Sequence, residues 1–429
     1  MSGMKMSEVT LDSGTENGGR IALAQTHTPL LQGATAERAR AAARSIAARA
    51  SVADASRGPE LAAGDAGLAL LHAELSRAFP GEAHEELASR ALERTLGALA
   101  REEFPLSLFS GVIGIGWTLA LLCPQEDAED EDAGPLDELF LACLADESWT
   151  PSFDLSDGLA GMAVYALEGM PRTSASRILV LVVERLARAA VRFPAGIAWR
   201  SDPDWLPAEL QSAFVGEWNL GVAHGVPGVI GALARVAVAE VPAPTRDLAR
   251  ELVRGGVGWL LCQERSGEDE GFPFATGRAA KGGAARSAWC YGDPGVAATL
   301  MLAGEALGEP SWRREAARIA IRAARRGADT AGVHDAWLCH GATGLGHVFH
   351  RLYRSSGEEE LARAARAWFA RGLSMLEGEA PGGVGWLDGA GGAALALLAA
   401  TGDAGASWDR ALLLSARPSE QRAPRSEGR

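Results

Sequence analysis

Ala288–Trp289–Cys290–Tyr291–Gly292–Asp293–Pro294–Gly295 and its echo Cys339–His340–Gly341–Ala342–Thr343–Gly344 carry both the fold and the chemistry of this chain. In each, a thiol stands two residues ahead of a Gly-x-x-Gly that opens an apolar run. A third copy, Ala223–His224–Gly225–Val226–Pro227–Gly228, has histidine where the second has His340. Two Cys and one His make a soft, tetrahedral-compatible ligand set with no fourth protein donor. A catalytic zinc needs such an open position if substrate is to bind the metal.

Outward from these copies the same frame recurs. Gly-x-x-Gly followed by an apolar run begins at Gly64, Gly111, Gly158, Gly225, Gly292, Gly341 and Gly389, at spacings of 47, 47, 67, 67, 49 and 48 residues. One such motif means little, but seven in near-register mark a repeat protein. Before each lies an amphipathic segment: Ala34–Ala50, His84–Ala100, Pro135–Ala145, Thr173–Phe193, Pro244–Arg265, Pro310–Gly327 and Glu358–Glu377. Arg313–Arg326 shows the pattern, with apolar residues at three-to-four spacing against Arg and Glu. The runs after the glycines, such as Gly111–Leu122 and Gly389–Ala400, are far less charged and read as helices buried on most sides.

The unit is therefore an outer amphipathic helix, a loop and an inner small-residue helix. Seven pairs closing in a ring predict an all-α protein, an α/α toroid of seven inner and seven outer helices. An open solenoid would not need every inner helix to begin alike. Glycine costs roughly 1 kcal/mol in a helix relative to alanine, so its recurrence predicts inner first turns that crowd together around the ring. We expect a flexible segment over residues 1–33, one toroid domain over 34–415 and a disordered tail over 416–429.

Net charge is −14, which excludes a general nucleic-acid binder. Five cysteines, three of them in apolar runs, point to a reduced, cytoplasmic chain and not a disulfide framework. No stretch has signal-peptide character at Met1–Arg20, and the most apolar window, Arg177–Val191, is broken by charges, so no membrane span is expected. Two connections exceed the others, Pro194–Asn219 and Gly267–Ser287. They hold Trp199, Trp205 and Trp218, and Phe272, Phe274, Lys281 and Arg286. Long loops on one face of a scaffold carry binding, and the aromatics predict a groove between them for a flexible peptide.

The residues preceding the first glycines line one mouth, at helix N-termini whose N–H groups favour thiolates and oxyanions. His224 is read as an acid/base, with a helix-capping histidine and a fourth metal ligand as the other options. Of Asp154 and Asp157, one is an N-cap and the other is free to orient a histidine. Arg286 and Tyr291 flank Cys290, while His334, His347 and His350 look peripheral.

Asn219–Leu220–Gly221–Val222–Ala223–His224–Gly225, Trp289–Cys290–Tyr291–Gly292 and Cys339–His340–Gly341 together resemble the lanthionine synthetase C-like family, the lanthipeptide cyclases. The resemblance spans about Ala34–Ala400 and suits a stand-alone cyclase. It implies one zinc on Cys290, Cys339 and His340, with the family's catalytic histidine at His224, its aspartate at Asp154, its arginine at Arg286 and its tyrosine at Tyr291. The implied partner is a dehydrated precursor peptide, with a lanthipeptide dehydratase and a transporter as further partners, in the cytoplasm at the periphery of a membrane-associated biosynthetic complex. The implied reaction is addition of a cysteine thiol to dehydroalanine or dehydrobutyrine. Such an addition needs a thiolate, a cation or donor for the enolate oxygen, and an acid for the carbon. Four other readings stay open: the family's glutathione-adding branch, a zinc-dependent toroid prenyltransferase, a toroid glycosidase using Asp154, Asp157 and Asp388, and a non-catalytic peptide binder with a structural zinc.

Overall fold

The computed structural model describes residues 29–50, 57–123, 134–205, 216–267, 270–278, 280, 283–378 and 383–417. The expected N-terminal segment and tail therefore fall mostly outside the described residues, as do Lys281 and 206–215 of the first long connection.

Every amphipathic segment forms a helix within a few residues of its predicted limits. These outer helices are α1 (Gly33–Ala50), α3 (His84–Leu99), α5 (Pro135–Ala145), α7 (Thr173–Ala189), α9 (Ala243–Leu261), α11 (Pro310–Arg325) and α13 (Glu359–Gly378). The inner helices each begin just after a first glycine: α2 (Asp65–Ala78), α4 (Val112–Leu122), α6 (Leu159–Gly169), α8 (Val226–Val236), α10 (Asp293–Leu307), α12 (Ala342–Ser356) and α14 (Ala390–Thr401). Among the described residues no helix is long and apolar enough to cross a membrane.

Each inner helix packs on the next around the circle, and α14 returns to α2, so the ring is closed. The toroid is as predicted. Burial follows the pattern that built it: α11 buries only the stripe Ala316, Ile319, Ala320 and Ala323, whereas α8 is buried along its whole length. The main packing partner of an outer helix is mostly the inner helix preceding it in the chain, as for α3 on α2, α7 on α6 and α11 on α10. α1 has no predecessor and packs on α14 instead. The N–H groups of Leu30 and Leu31 both donate to the Ala400 carbonyl at 2.9 Å, so the two ends of the repeat array close on each other.

The predicted outer helix Thr173–Phe193 is shorter than expected. It stops at Ala189, and β1 (Val191–Phe193) turns back against β2 (Gly196–Ala198). The two long connections are stitched together by β3 (Trp218–Asn219) pairing antiparallel with β4 (Ala275–Thr276). The axis of the ring is filled by a 3₁₀ turn, Ser407–Leu412, in which Trp408 and Leu412 are buried. It enters where the inner helices finish, held by the Arg410–Glu168 ion pair at 2.7 Å. It reaches far enough for the Trp289 indole N–H to donate to the Leu412 carbonyl at 2.8 Å. His347, read as peripheral, serves this plug: its Nε2 lies 2.8 Å from Asp409 and its ring stacks on Trp408 at 4.7 Å.

Candidate active site

The loop ahead of each inner helix doubles back over the first helical turn. In five repeats first-turn N–H groups donate to backbone carbonyls seven residues earlier, as Asp65 to Gly58 (2.8 Å), Val112 to Pro105 (3.0 Å), Leu159 to Ser152 (3.0 Å), Ala342 to Asp335 (2.9 Å) and Ala390 to Gly383 (3.0 Å). These bonds satisfy donors a helix start would leave orphaned. They also correct the expectation of free N–H groups at the mouth, since the loops already use them.

The same fold-back explains the glycines. A Cβ on the second glycine of every motif would stand 1.8–2.5 Å from the carbonyl oxygen six residues earlier, for example Leu108 for Gly114 and Trp289 for Gly295. In most repeats it would also press on a side chain of the neighbouring repeat, as Leu61 Cβ, 3.0 Å from the same point at Gly114. The predicted crowding is real, but the repeat's own loop is its main source. Gly292 has the further demand of φ +86°, a left-handed backbone that favours glycine.

Adjacent loops are joined around the mouth by backbone hydrogen bonds. The N–H groups of Ala62, Leu108, Ser156, Val222, Cys339 and Leu387 donate to the carbonyls of Phe109, Ser156, Ala223, Cys290, Leu387 and Ala62, respectively, at 2.7–3.1 Å. Six of the seven junctions are closed in this way. At the seventh, between the fifth and sixth repeats, the backbone bond lies farther from the mouth, from the Ser287 N–H to the Ala331 carbonyl at 2.8 Å, and among the described residues none joins the residues two or three before the first glycines. That junction is where Cys290 and Cys339 face one another.

The ring of loops surrounds a cavity of about 360 Å³ to which all seven repeats contribute, from Ala62 and Ser107 through Asp157, His224, Cys290 and Cys339 to Asp388. At the open junction the ligand atoms of Cys290, Cys339 and His340 all lie within 4.8 Å of one another. Cys290 is 5% exposed. The Cys339 thiol, then His340 and the Arg286 charge, hold its proton affinity below that of an ordinary thiol in spite of burial. Cys339 is pushed the other way by its bond to Cys290 and by burial. Two thiols and an imidazole that already share protons this closely fit a soft divalent metal, which would take the place of those protons.

Across the cavity, His224 Nδ1 lies 3.1 Å from Asp154 and 3.9 Å from Asp157. Asp154 is buried, and its other oxygen accepts the Asp157 N–H at 2.7 Å. Enclosure opposes charge on the His224 ring, but the Asp154 hydrogen bond and charge, with Asp157 and Cys290, raise its pKa above the usual histidine value. Enclosure by the cavity walls and the Asp154 charge raise the pKa of Asp157, although its side chain reaches solvent.

Tyr291 lines the cavity with its hydroxyl accepting from Asn219 Nδ2 at 3.0 Å, and burial pushes its pKa up to about 12. Arg286 has no hydrogen-bond or ion-pair partner among the described residues, and its charge is felt at Cys290, Cys339, His340 and Asp388. The structure thus brings all the sequence-selected residues to one mouth. Beside His340 it places Asp388, at 3.8 Å, and adds one further carboxylate, Asp335, at 3.5 Å. Asp335 was legible from the repeat itself, since Ser152, Asn219, Arg286 and Asp335 each stand six residues before a first glycine.

The family model described as lanthionine synthetase C-like protein matches residues 55–413. The chain belongs to that family. Its fold is similar to that of nisin cyclase, with a TM-score of 0.71 at 20% identity over 87% of this chain and 97% of the other.

One expectation about this lanthionine synthetase C-like mouth changes. Trp199 and Phe272 are buried, and Trp218 packs on Phe193 at 5.1 Å and Trp259 at 6.1 Å. With β3 and β4 paired, the described residues of the two connections leave no aromatic groove between them. Among the described aromatics of these connections, Trp205 remains exposed beside Phe153, and Phe274 remains half-buried beside Tyr291.

Proposed function

We propose that this protein is a zinc-dependent lanthipeptide cyclase, adding cysteine thiols of a dehydrated precursor peptide to dehydroalanine or dehydrobutyrine to form thioether rings. The observation that carries the reading is one cavity flanked by a Cys–Cys–His set and an Asp154-held histidine. Cys290, Cys339 and His340 would hold one zinc, which when bound supplies the Lewis acidity that makes a peptide thiol a thiolate near neutral pH.

The chain's own residues account for the rest. A C–S bond forms at the alkene β-carbon, the double-bond electrons move onto the acceptor carbonyl, and the α-carbon then takes a proton. His224, charged because Asp154 holds Nδ1, carries that proton toward the cavity. Arg286, without an ion-pair partner among the described residues, and Tyr291, kept protonated, meet the enolate oxygen. The net change is addition of S–H across C=C. A dehydratase must act before this enzyme, and a transporter after it is consistent with a cytoplasmic location.

The test is mass spectrometry with thiol alkylation on a peptide containing cysteine and dehydroalanine. Zinc-loaded protein should remove the alkylatable thiol with no change in peptide mass. A thiol that stays alkylatable while glutathione is added to the same peptide would make this a glutathione-adding enzyme.

A further inference from the structure

Asn219 stands in the chemical register of Arg286 and Asp335, six residues before a first glycine, yet the scheme above gives it no task. It is buried, and both ends of its carboxamide are engaged. Its Oδ1 accepts the Gly221 backbone N–H at 2.8 Å. A backbone N–H can only donate, so this bond fixes which end of the amide is oxygen. The NH₂ end is therefore the one facing Tyr291 Oη, at 3.0 Å.

That polarity has a consequence for the tyrosine. An amide NH₂ cannot accept, so Tyr291 Oη must be the acceptor, and its own proton has to point elsewhere. No protein acceptor for that proton occurs among the described residues. The ring cannot swing away to find one, because its edge lies against Gly221, where a Cβ would stand 2.6 Å from it, and Phe274 packs on it at 5.1 Å. The residue lines the cavity, and the charges of Cys290, Asp154 and Cys339 are felt at its hydroxyl.

We infer that Asn219 is a positioning residue that forces Tyr291 to present its O–H, and not a lone pair, to the acceptor carbonyl of the bound peptide. The inference rests on the thiol-addition reading and deepens it. It makes Tyr291 a one-way donor to the oxygen that gains charge when sulfur attacks, and it gives Asn219 control over that donor without contact with substrate.

Asn219→Asp tests the inference, because aspartate keeps an oxygen for Gly221 N–H but replaces the donor facing Tyr291 with an acceptor. The phenol then donates to residue 219 and is lost to the substrate. We expect kcat to fall by on the order of 10²-fold, the typical size of one oxyanion donor, with KM and zinc content nearly unchanged. Tyr291→Phe should show the same loss, and the double variant should be no slower than either single one. Asn219→Ser keeps a Gly221 acceptor, removes the donor and adds no charge. Its loss should be about 2- to 10-fold, the span of a neutral hydrogen bond, and should vanish in the Tyr291→Phe background. This second variant keeps the test open if Asn219→Asp fails to fold. Losses that multiply in the double variants, or an Asn219→Asp enzyme of wild-type kcat, would overturn the inference. Wild-type protein that adds neither a peptide thiol nor glutathione would instead remove the reading beneath it, and the inference with it.

Discussion

Asp154 holds His224 with one carboxylate oxygen, at 3.1 Å from Nδ1, and with the other caps its own loop through the Asp157 N–H at 2.7 Å. One buried carboxylate thereby ties the third repeat to the fourth and leaves His224 Nε2 as the atom free to exchange a proton. Asp157, at 3.9 Å and exposed, is the weaker partner. The choice between them, open in the sequence, is made by the loop that turns one inward.

His224→Ala should keep both zinc and fold but lose ring closure by roughly 10²–10⁴-fold, the usual worth of a general acid. The measurements are metal content, circular dichroism and initial rate. A twofold loss would leave His224 without its role, and loss of zinc would make it a ligand.

Asp154→Asn should move the basic limb of the kcat/KM profile to lower pH. Enclosure by the cavity disfavours the charged ring, and the Asp154 bond and charge outweigh it, so the His224 pKa lies above the ordinary value. Removing the charge takes away that gain. The folded-state value is raised, so the pair's contribution to stability is full below the unfolded histidine value of about 6.5 and is lost as pH rises through the folded one. The melting-temperature gap between wild type and variant should accordingly be wider at about pH 6 than at about pH 9. A basic limb that stays in place would separate Asp154 from the acid.

Zinc removal should loosen one junction of the ring and spare the other six. Backbone bonds at the rim of the mouth close those six, while at the rim between the fifth and sixth repeats Cys290, Cys339 and His340 take that place, with the Ser287–Ala331 backbone bond farther back. Chelation should raise hydrogen exchange at 285–291 and 335–340 and lower the melting temperature, since a ligand bound only to the folded state stabilises it. Cys339→Ala should reproduce the effect and fail to hold one zinc per chain. Uniform exchange around the ring would refute the idea that the metal staples this seam.

How far the sequence could be read depends on what each feature costs the chain. The outer helices were legible because a half-buried helix must segregate its apolar residues, and α11 does so with Ala316, Ile319, Ala320 and Ala323. The inner ring was legible because the fold-back of each loop tolerates no Cβ at positions such as Gly114 and Gly295. The ligands were legible because the repeat supplies a frame in which Cys290 and Cys339 coincide. The plug at Trp408 was not, since nothing local to Ser407–Leu412 tells that it fills the axis of a ring whose inner helices run from Asp65 to Thr401. The aromatic groove misled for a related reason: Trp199 and Phe272 on long connections are as able to fill a core as to face a peptide, and both are buried. Asp335 is marked only by its register, six residues before Gly341 as Arg286 is before Gly292, and neither its type nor its neighbours show the 3.5 Å approach to His340 that sets it apart.

The fold-back itself can be tested with two glycines of opposite expected sign. Gly97 lies within α3, and a Cβ there would meet only the far end of the Arg101 side chain, at 3.3 Å. Gly97→Ala should therefore stabilise the protein by about 0.5–1 kcal/mol, through helix propensity and a less flexible unfolded chain. Gly114 lies in the first turn of α4, where the same methyl would stand 1.8 Å from the Leu108 carbonyl oxygen and 3.0 Å from Leu61 Cβ. Both obstacles are held in place, the first by the Leu108 N–H bond to the Ser156 carbonyl at 2.7 Å, the second by the neighbouring repeat. Overpacking of this kind costs typically 1–3 kcal/mol, enough to reverse the propensity gain. Denaturant unfolding of the zinc-loaded variants reads both, with zinc content as the control that the site is intact. If Gly114→Ala were as stable as Gly97→Ala, the loops would not lie against the inner helices as described, and the account of the seven glycines would fail with it.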